Sequence, residues 1–196
     1  MNLPNKLTVA RFVLTLVFLI IMHSNIDYKE TAALLVFLIA GLTDHFDGRI
    51  ARKNNLITNF GILMDPLADK ILTCAAFISF VELRLLPAWM VVIIVTRELA
   101  ITGLRLLAAS KNIVLAAEGM GKHKTMSQIV AIVAILVLIS YPQWGEISKT
   151  IFEYSLFGAP WIKWFAELAK WLAVLLTIIS GGYYLWRNRQ VYIQDL

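Results

Sequence analysis

The sequence has a single cysteine, Cys74, which excludes a disulfide within the chain. Its three histidines, His23, His45 and His123, do not cluster at the spacing of metal ligands. It also has no internal repeat of the kind that marks many transporters. These absences argue against a disulfide framework, a histidine-based metal site and a transporter built from repeats.

What the sequence has in excess is apolar side chains. Of its 196 residues, 59% are hydrophobic, and the mean hydropathy is +0.73. A soluble domain is only about 45–50% apolar, so the composition predicts an integral membrane protein. A membrane-spanning helix needs about 20 mainly apolar residues. The candidates predict an all-α fold of six transmembrane helices: Leu7–His23, Thr31–Arg49, Phe60–Val81, Pro87–Ala109, Met126–Tyr141 and Trp161–Trp186.

These segments use nearly the whole chain, so we expect a single membrane domain over residues 1–196, with a short interfacial segment at residues 1–6. The net charge of +5 does not point to nucleic acid, because the basic residues gather on one side of the predicted membrane. The positive-inside rule then places both termini in the cytoplasm of a multi-pass protein of the cytoplasmic membrane.

Four aspartates lie between apolar segments, where a charge at bilayer depth costs about 2.5–3.5 kcal/mol. Asp44 and Asp47 are spaced i, i+3, and Asp65 and Asp69 are spaced i, i+4, so each pair shares one face if its segment is helical. Two such faces predict an oxygen-rich site for Mg2+ or Mn2+ in a polar cavity that faces the cytoplasm. Pro66 requires the third helix either to begin near Asp65 or to kink there.

Buried cations accompany the acids. Arg97 and Arg105 in the fourth helix look like anion ligands, whereas Glu98 is either part of the same site or a partner in an ion pair. Arg11 lies one turn inside the first apolar run, where it either reaches lipid headgroups or enters a polar cavity. A basic connection before the fifth helix offers four side chains that would hold a phosphate or, alternatively, anchor the topology: Lys122, Lys124, Thr125 and Gln128.

The acidic stretch has a long gapped pattern. It consists of Asp44, Asp47-Gly48, Ala51-Arg52, Gly61, Asp65 and Asp69, each separated from the next by a fixed number of residues. At all eight positions the sequence resembles the signature of the CDP-alcohol phosphotransferase family, and the layout of six helices is similar as well. Members of that family transfer a substituted phosphate from a CDP-linked donor to an alcohol and release CMP.

The resemblance implies a role for each matching residue. It implies that Asp44, Asp47, Asp65 and Asp69 bind two divalent cations, Mg2+ or Mn2+, and that Asp69 is also the general base. The CDP-linked donor is expected to contact Asp44 and Asp47 as well as Gly48, Ala51, Arg52 and Gly61. Small side chains at positions 48, 51 and 61 would let cytidine approach the helix backbones, and Arg52 suits a phosphate. Asn5 and Thr8 are further candidates for donor binding.

Within the family, the stretches NLPNKLTVAR, DPLADK, TRELAITGLR and GKHKTMSQ are most similar to members that join CDP-diacylglycerol to sn-glycerol 3-phosphate. That acceptor is a dianion, and the cations available to bind its phosphate are Arg97, Arg105, Lys122 and Lys124. Three alternatives stay open: a cardiolipin synthase with phosphatidylglycerol as acceptor, a phosphatidylinositol-phosphate synthase and, from another class, a cation transporter. The family resemblance also implies a homodimer in contact with membrane lipids.

Overall fold

The structure is a computed structural model. It describes residues 3–54, 59–111, 113, 115 and 119–193, and it describes side chains for residues 9–43, 70–111, 113, 115 and 123–193.

Six long helices dominate the described ranges, and their positions agree with the six predicted segments. They are α1 (Leu3–His23), α2 (Lys29–Asn54), α3 (Asn59–Glu82), α4 (Ala88–Ser110), α5 (Gly119–Ser140) and α7 (Trp161–Arg187). Two short helices, α6 (Glu146–Phe152) and α8 (Gln190–Ile193), and a 3-10 turn (Tyr141–Gln143) complete the helical part. Strands β1 (Ser155–Leu156) and β2 (Ala159–Pro160) pair antiparallel, with Ser155 opposite Pro160. The predicted all-α class is confirmed.

The number of membrane spans is a separate question from the number of helices. Within the described residues, one segment, His123–Gln143, is both long and apolar enough to cross a membrane, and Val9–His23 is a shorter apolar helix. Helix α4 carries Arg97, Glu98 and Arg105 between its middle and its C-terminal end, which lowers its apolar character. Six spans therefore stay a prediction, whereas six long helices are observed.

Prolines mark where two helices begin. Pro87 and Pro160 precede α4 and α7 with extended backbones, at φ −65° and ψ 138° and at φ −53° and ψ 136°. A proline suits this place because its fixed φ and missing N–H cost nothing before the first helical turn. Pro66, in contrast, lies inside α3, which begins at Asn59. The alternative in which that helix starts near Asp65 is therefore wrong.

The main apolar core lies in the half of the bundle that holds the α1–α2 and α3–α4 turns. Helix α1 packs against α2 and α3, and α5 packs against α7. The main apolar core contains Phe18, Phe77, Phe80, Ile132 and Leu136, each at most 1% exposed. Five buried alanines of α5 and α7 form one cluster, and such small residues allow two helices to approach closely.

Candidate active site

The eight motif residues lie on two consecutive helices. Asp44, Asp47, Gly48, Ala51 and Arg52 belong to α2, and Gly61, Asp65 and Asp69 belong to α3. The helical spacing that the prediction assumed is therefore present in the backbone. The side chains of all eight residues lie outside the described set, as do those of Asn5 and Thr8 in α1 and of Lys122 in α5.

The chemistry of this donor set fits hard divalent cations, because two carboxylates on each of two consecutive helices offer only oxygen ligands. In the described set of side chains, no three His, Cys, Asp or Glu residues are grouped. The four aspartates are outside it, so the metal site stays a prediction.

A cavity of about 230 Å³ lies directly beside the motif. Gly41, three residues before Asp44, lines it from α2, and Lys70, the residue after Asp69, lines it from α3. Arg11 lines it from α1 and is only 6% exposed. The interpretation of Arg11 as a residue that enters a polar cavity is confirmed.

Glu98 is the described carboxylate at the wall of this cavity, and it is 4% exposed. Its Oε1 accepts a hydrogen bond from the Lys124 ammonium, which is itself 3% exposed. The same Oε1 is 3.4 Å from Arg97 Nη1, and Oε2 is 3.8 Å from Lys70 Nζ. Helices α3, α4 and α5 thus each contribute a cation to one buried carboxylate. The ion pair that was one of two interpretations of Glu98 is present.

Neutral side chains extend this cluster to α7. Gln128 donates from Nε2 to Thr177 Oγ1 at 3.1 Å and contacts Glu98 Oε1 at 3.5 Å. On α4, Thr102 donates to the Glu98 carbonyl at 2.8 Å and accepts a hydrogen bond from Lys70. Because a buried polar group without a partner is costly, these contacts fix the orientation of the charged residues.

The side chain of Arg97 lies across α7 at the position of a glycine. Its Nη2 lies 3.4 Å from Ser180 Oγ, and a Cβ added to Gly181 would come within 2.7 Å of Arg97 Cγ. Any larger residue at position 181 must therefore displace the arginine. The absence of a side chain at Gly181 is what lets Arg97 lie against the helix.

Arg105 lies on the same helix as Arg97 but has a different partner. Its Nε donates to the hydroxyl of Tyr184 at 3.2 Å, and its guanidinium carbon is 5.4 Å from the centre of the Tyr184 ring. Tyr184 is 3% exposed, whereas Arg105 remains exposed. The contact holds the arginine on a rigid aromatic side chain and leaves it accessible.

The structure therefore brings two of the four predicted acceptor-phosphate ligands, Arg97 and Lys124, onto one carboxylate, and it places Arg105 on Tyr184. The sequence interpretation missed Lys70, Thr177, Ser180 and Gly181. The cost of a charge at bilayer depth could have identified Lys70, since that lysine follows Asp69 directly. The other three are small residues of α7, where no local pattern distinguishes them.

Comparisons with known proteins agree with these features. Residues 1–179 match the model of the family described as CDP-alcohol phosphatidyltransferase. A protein of Bacillus subtilis named CDP-diacylglycerol–glycerol-3-phosphate 3-phosphatidyltransferase is 42% identical, with 95% of each chain covered. A protein of Rickettsia bellii with the same name is 34% identical over 93% of each chain.

A third relative, from Mycobacterium tuberculosis, is named probable phosphatidylglycerophosphate synthase. It is 35% identical over 95% of this chain and 81% of its own length. All three matches extend over nearly the whole chain, so they include the motif helices and the buried cluster around Glu98.

Proposed function

We infer the reaction of this protein from the premise that the chain belongs to the CDP-alcohol phosphatidyltransferase family. It is a transferase of phospholipid biosynthesis that moves the phosphatidyl group of CDP-diacylglycerol to sn-glycerol 3-phosphate and releases CMP. The products are phosphatidylglycerophosphate and CMP. The structural observation that carries the choice of acceptor is the convergence of Arg97, Lys70 and Lys124 beside the motif helices.

The reaction forms one bond and breaks another. A hydroxyl oxygen of the acceptor bonds to the phosphorus that carries diacylglycerol, and the P–O bond to CMP breaks. Asp69 takes the proton of that hydroxyl as general base. Asp44, Asp47, Asp65 and Asp69 would hold two divalent cations, Mg2+ or Mn2+, which would neutralise charge on the diphosphate. The motif residues on both helices orient the donor toward the acceptor hydroxyl.

The donor and the acceptor occupy different parts of the site in this proposal. Gly48, Ala51 and Gly61 leave room for cytidine against the backbones of α2 and α3, while Arg52 binds a donor phosphate. Asn5 and Thr8 contact the donor from α1. Arg97, Arg105, Lys122 and Lys124 bind the acceptor phosphate, because a dianion that is removed from water needs cationic partners.

The described lining of the cavity favours an anionic acceptor. Three of its described side chains are cations, Arg11, Lys70 and Lys124, and one, Glu98, is an anion. The doubly charged phosphate of glycerol 3-phosphate gains more from this excess of positive charge than the singly charged phosphodiester of phosphatidylglycerol. The charge of the lining therefore supports glycerol 3-phosphate over phosphatidylglycerol.

A membrane location is supported by apolar side chains that face outward. The described helices expose many large hydrophobic residues, which a protein surrounded by water rarely does over long contiguous faces. Helices α1, α2, α4 and α7 supply examples that are at least half exposed: Leu16, Ile20, Leu35, Leu42, Val92, Leu99, Leu168 and Leu175. We propose six spans with both termini in the cytoplasm, a site open to the cytoplasm and, from the family resemblance, a homodimer.

The proposal is tested by CMP release from CDP-diacylglycerol in detergent micelles with Mg2+. We expect release to depend on added sn-glycerol 3-phosphate and to stop when the metal is chelated. Parallel reactions contain phosphatidylglycerol, inositol phosphate or no acceptor. Equal or faster release with phosphatidylglycerol would replace the proposal by the cardiolipin synthase reaction, and release with inositol phosphate alone would favour the phosphatidylinositol-phosphate alternative.

A further inference from the structure

Glu98 has an arrangement that a simple ion pair does not need. Its two carboxylate oxygens meet different cations: Oε1 faces Lys124 and Arg97, and Oε2 faces Lys70 at 3.8 Å. The cations come from three different helices, and the carboxylate is 4% exposed. One buried acid thus connects Arg97 with two cations that line the cavity, Lys70 and Lys124.

Without a negative partner these cations would not remain together. Charges of one sign a few ångströms apart repel strongly where the dielectric constant is low, and a buried ammonium without a counterion is costly. Lys124 is 3% exposed and lines the cavity, so its position depends on Glu98. The carboxylate offsets only part of the positive charge of the described lining, and this leaves the cavity attractive to a dianion.

The carboxylate itself is held in place. Gln128 contacts Glu98 Oε1 at 3.5 Å and donates to Thr177 Oγ1 at 3.1 Å, while Thr177 donates to the Ala173 carbonyl at 2.6 Å. A residue on α5 and a residue on α7 therefore restrict where the carboxylate group can lie. A fixed anion fixes the cations that bind it.

We infer that Glu98 is a positioning residue for the acceptor phosphate, which holds Lys124 at the wall of the cavity where that phosphate binds and keeps Arg97 paired beside it. It acts through these cations and does not contact the reacting atoms. This inference rests on the proposed function, because it takes a phosphate-bearing acceptor as the ligand of the cavity.

The main test substitutes Glu98→Gln, which keeps the shape of the side chain and removes its charge. We expect the KM for sn-glycerol 3-phosphate to rise about tenfold to a hundredfold, as for loss of a charge-assisted contact. The KM for CDP-diacylglycerol should change less than twofold. Glu98→Asp keeps the charge on a shorter side chain and should restore part of the acceptor affinity.

The matched control is Glu167→Gln. Glu167 is also paired with a lysine of a helix, at 2.5 Å from Lys170 Nζ, but its side chain is 45% exposed and does not line the cavity. We expect both KM values of this variant to equal those of the unmodified protein. A double-mutant cycle with Lys124→Gln adds a further criterion: if Glu98 acts through Lys124, the two substitutions together raise the acceptor KM less than the product of their separate effects.

A second measurement keeps the inference testable without turnover. Added sn-glycerol 3-phosphate should raise the melting temperature of the unmodified protein in detergent by mass action. The rise should persist in Glu167→Gln and shrink or vanish in Glu98→Gln. If Glu98→Gln does not melt cooperatively, the comparison is made with Glu98→Asp, whose rise should be intermediate.

Several outcomes would overturn the inference: an acceptor KM that is unchanged in Glu98→Gln, equal increases in the KM of donor and acceptor, or no rise in melting temperature of the unmodified protein with glycerol 3-phosphate. Failure of the proposed function would give a different set of results from failure of this inference. In that case the unmodified protein releases no CMP with glycerol 3-phosphate, while the melting experiment still decides whether Glu98 controls phosphate binding.

Discussion

Two buried regions of the helix bundle are built on different principles. Around Phe18, Phe77 and Phe80, the core is aromatic and aliphatic, and these three side chains are at most 1% exposed. Around Glu98, the buried side chains include charged ones, and helices α3, α4 and α5 meet through ion pairs. A close-packed apolar core leaves no room for a ligand, whereas a buried charged cluster adds little net stability because its charges lose their hydration. We therefore assign stability mainly to the first region and substrate recognition to the second.

The contrast between the two regions is tested first at the motif, where the largest effect is expected. Asp69→Asn removes the proposed base and should lower kcat by about 10²–10⁴-fold, which is the usual contribution of general base catalysis. The fold should be unaffected, so the melting temperature should stay within a few degrees. Binding of CDP-diacylglycerol, measured by equilibrium titration, should be partly retained. Normal turnover of this variant would contradict the assignment of Asp69 as base.

A substitution in the apolar region around Phe18, Phe77 and Phe80 should lower stability and leave substrate binding unchanged. Phe80→Ala removes a side chain that is 0% exposed and contacts Phe77 edge-on, and it should cost about 3 kcal/mol of unfolding free energy through lost packing. The KM values of the folded fraction should not change. Phe157→Ala, at a side chain that is 87% exposed, is the control and should leave the melting temperature nearly unchanged. A large change in the acceptor KM of Phe80→Ala without loss of stability would argue against separate roles for the two regions.

A smaller effect is expected where α7 meets Arg97. Gly181→Ala adds a Cβ that would come within 2.7 Å of Arg97 Cγ, whereas a Cβ at Gly182 meets nothing within 4 Å. We expect Gly181→Ala to raise the acceptor KM by about tenfold, or about 1.4 kcal/mol, through displacement of the arginine. Gly182→Ala should have no such effect, although both substitutions favour the helix equally. Equal kinetics for the two variants would mean that the position of Arg97 does not matter for the acceptor.

Much of the fold follows from local sequence. Apolar segments of suitable length located all six long helices, and the gapped motif correctly identified the family. The connection between α5 and α7 was less predictable. There Gly145 and Gly158 adopt φ +93° and +80°, values that favour glycine, and they permit α6 and the paired strands β1 and β2. Pro66 allowed two interpretations because its effect depends on whether the preceding turn is already helical.

The sequence predicted several residues of the site but not which of them contact one another. Of the cations that the sequence singled out, Arg11 and Lys124 are buried and line the cavity, and Arg97 pairs with Glu98 at its wall. The cost of charge in a membrane pointed to Arg11 and Arg97. It could not reveal that Lys124 meets Glu98, because those residues are 26 positions apart on different helices and only packing brings them together. Gly181 shows the same limit, since its role is to make room for a side chain of another helix.

The most direct test of the account compares two acceptors that differ only in the phosphate. CMP release from CDP-diacylglycerol with Mg2+ is measured with sn-glycerol 3-phosphate and with glycerol. We predict that kcat/KM falls by at least about 10²-fold for glycerol, because the excess positive charge of the cavity lining then gains no contact with a phosphate. Equal efficiency with both acceptors would contradict the claim that this cluster selects the acceptor by its phosphate.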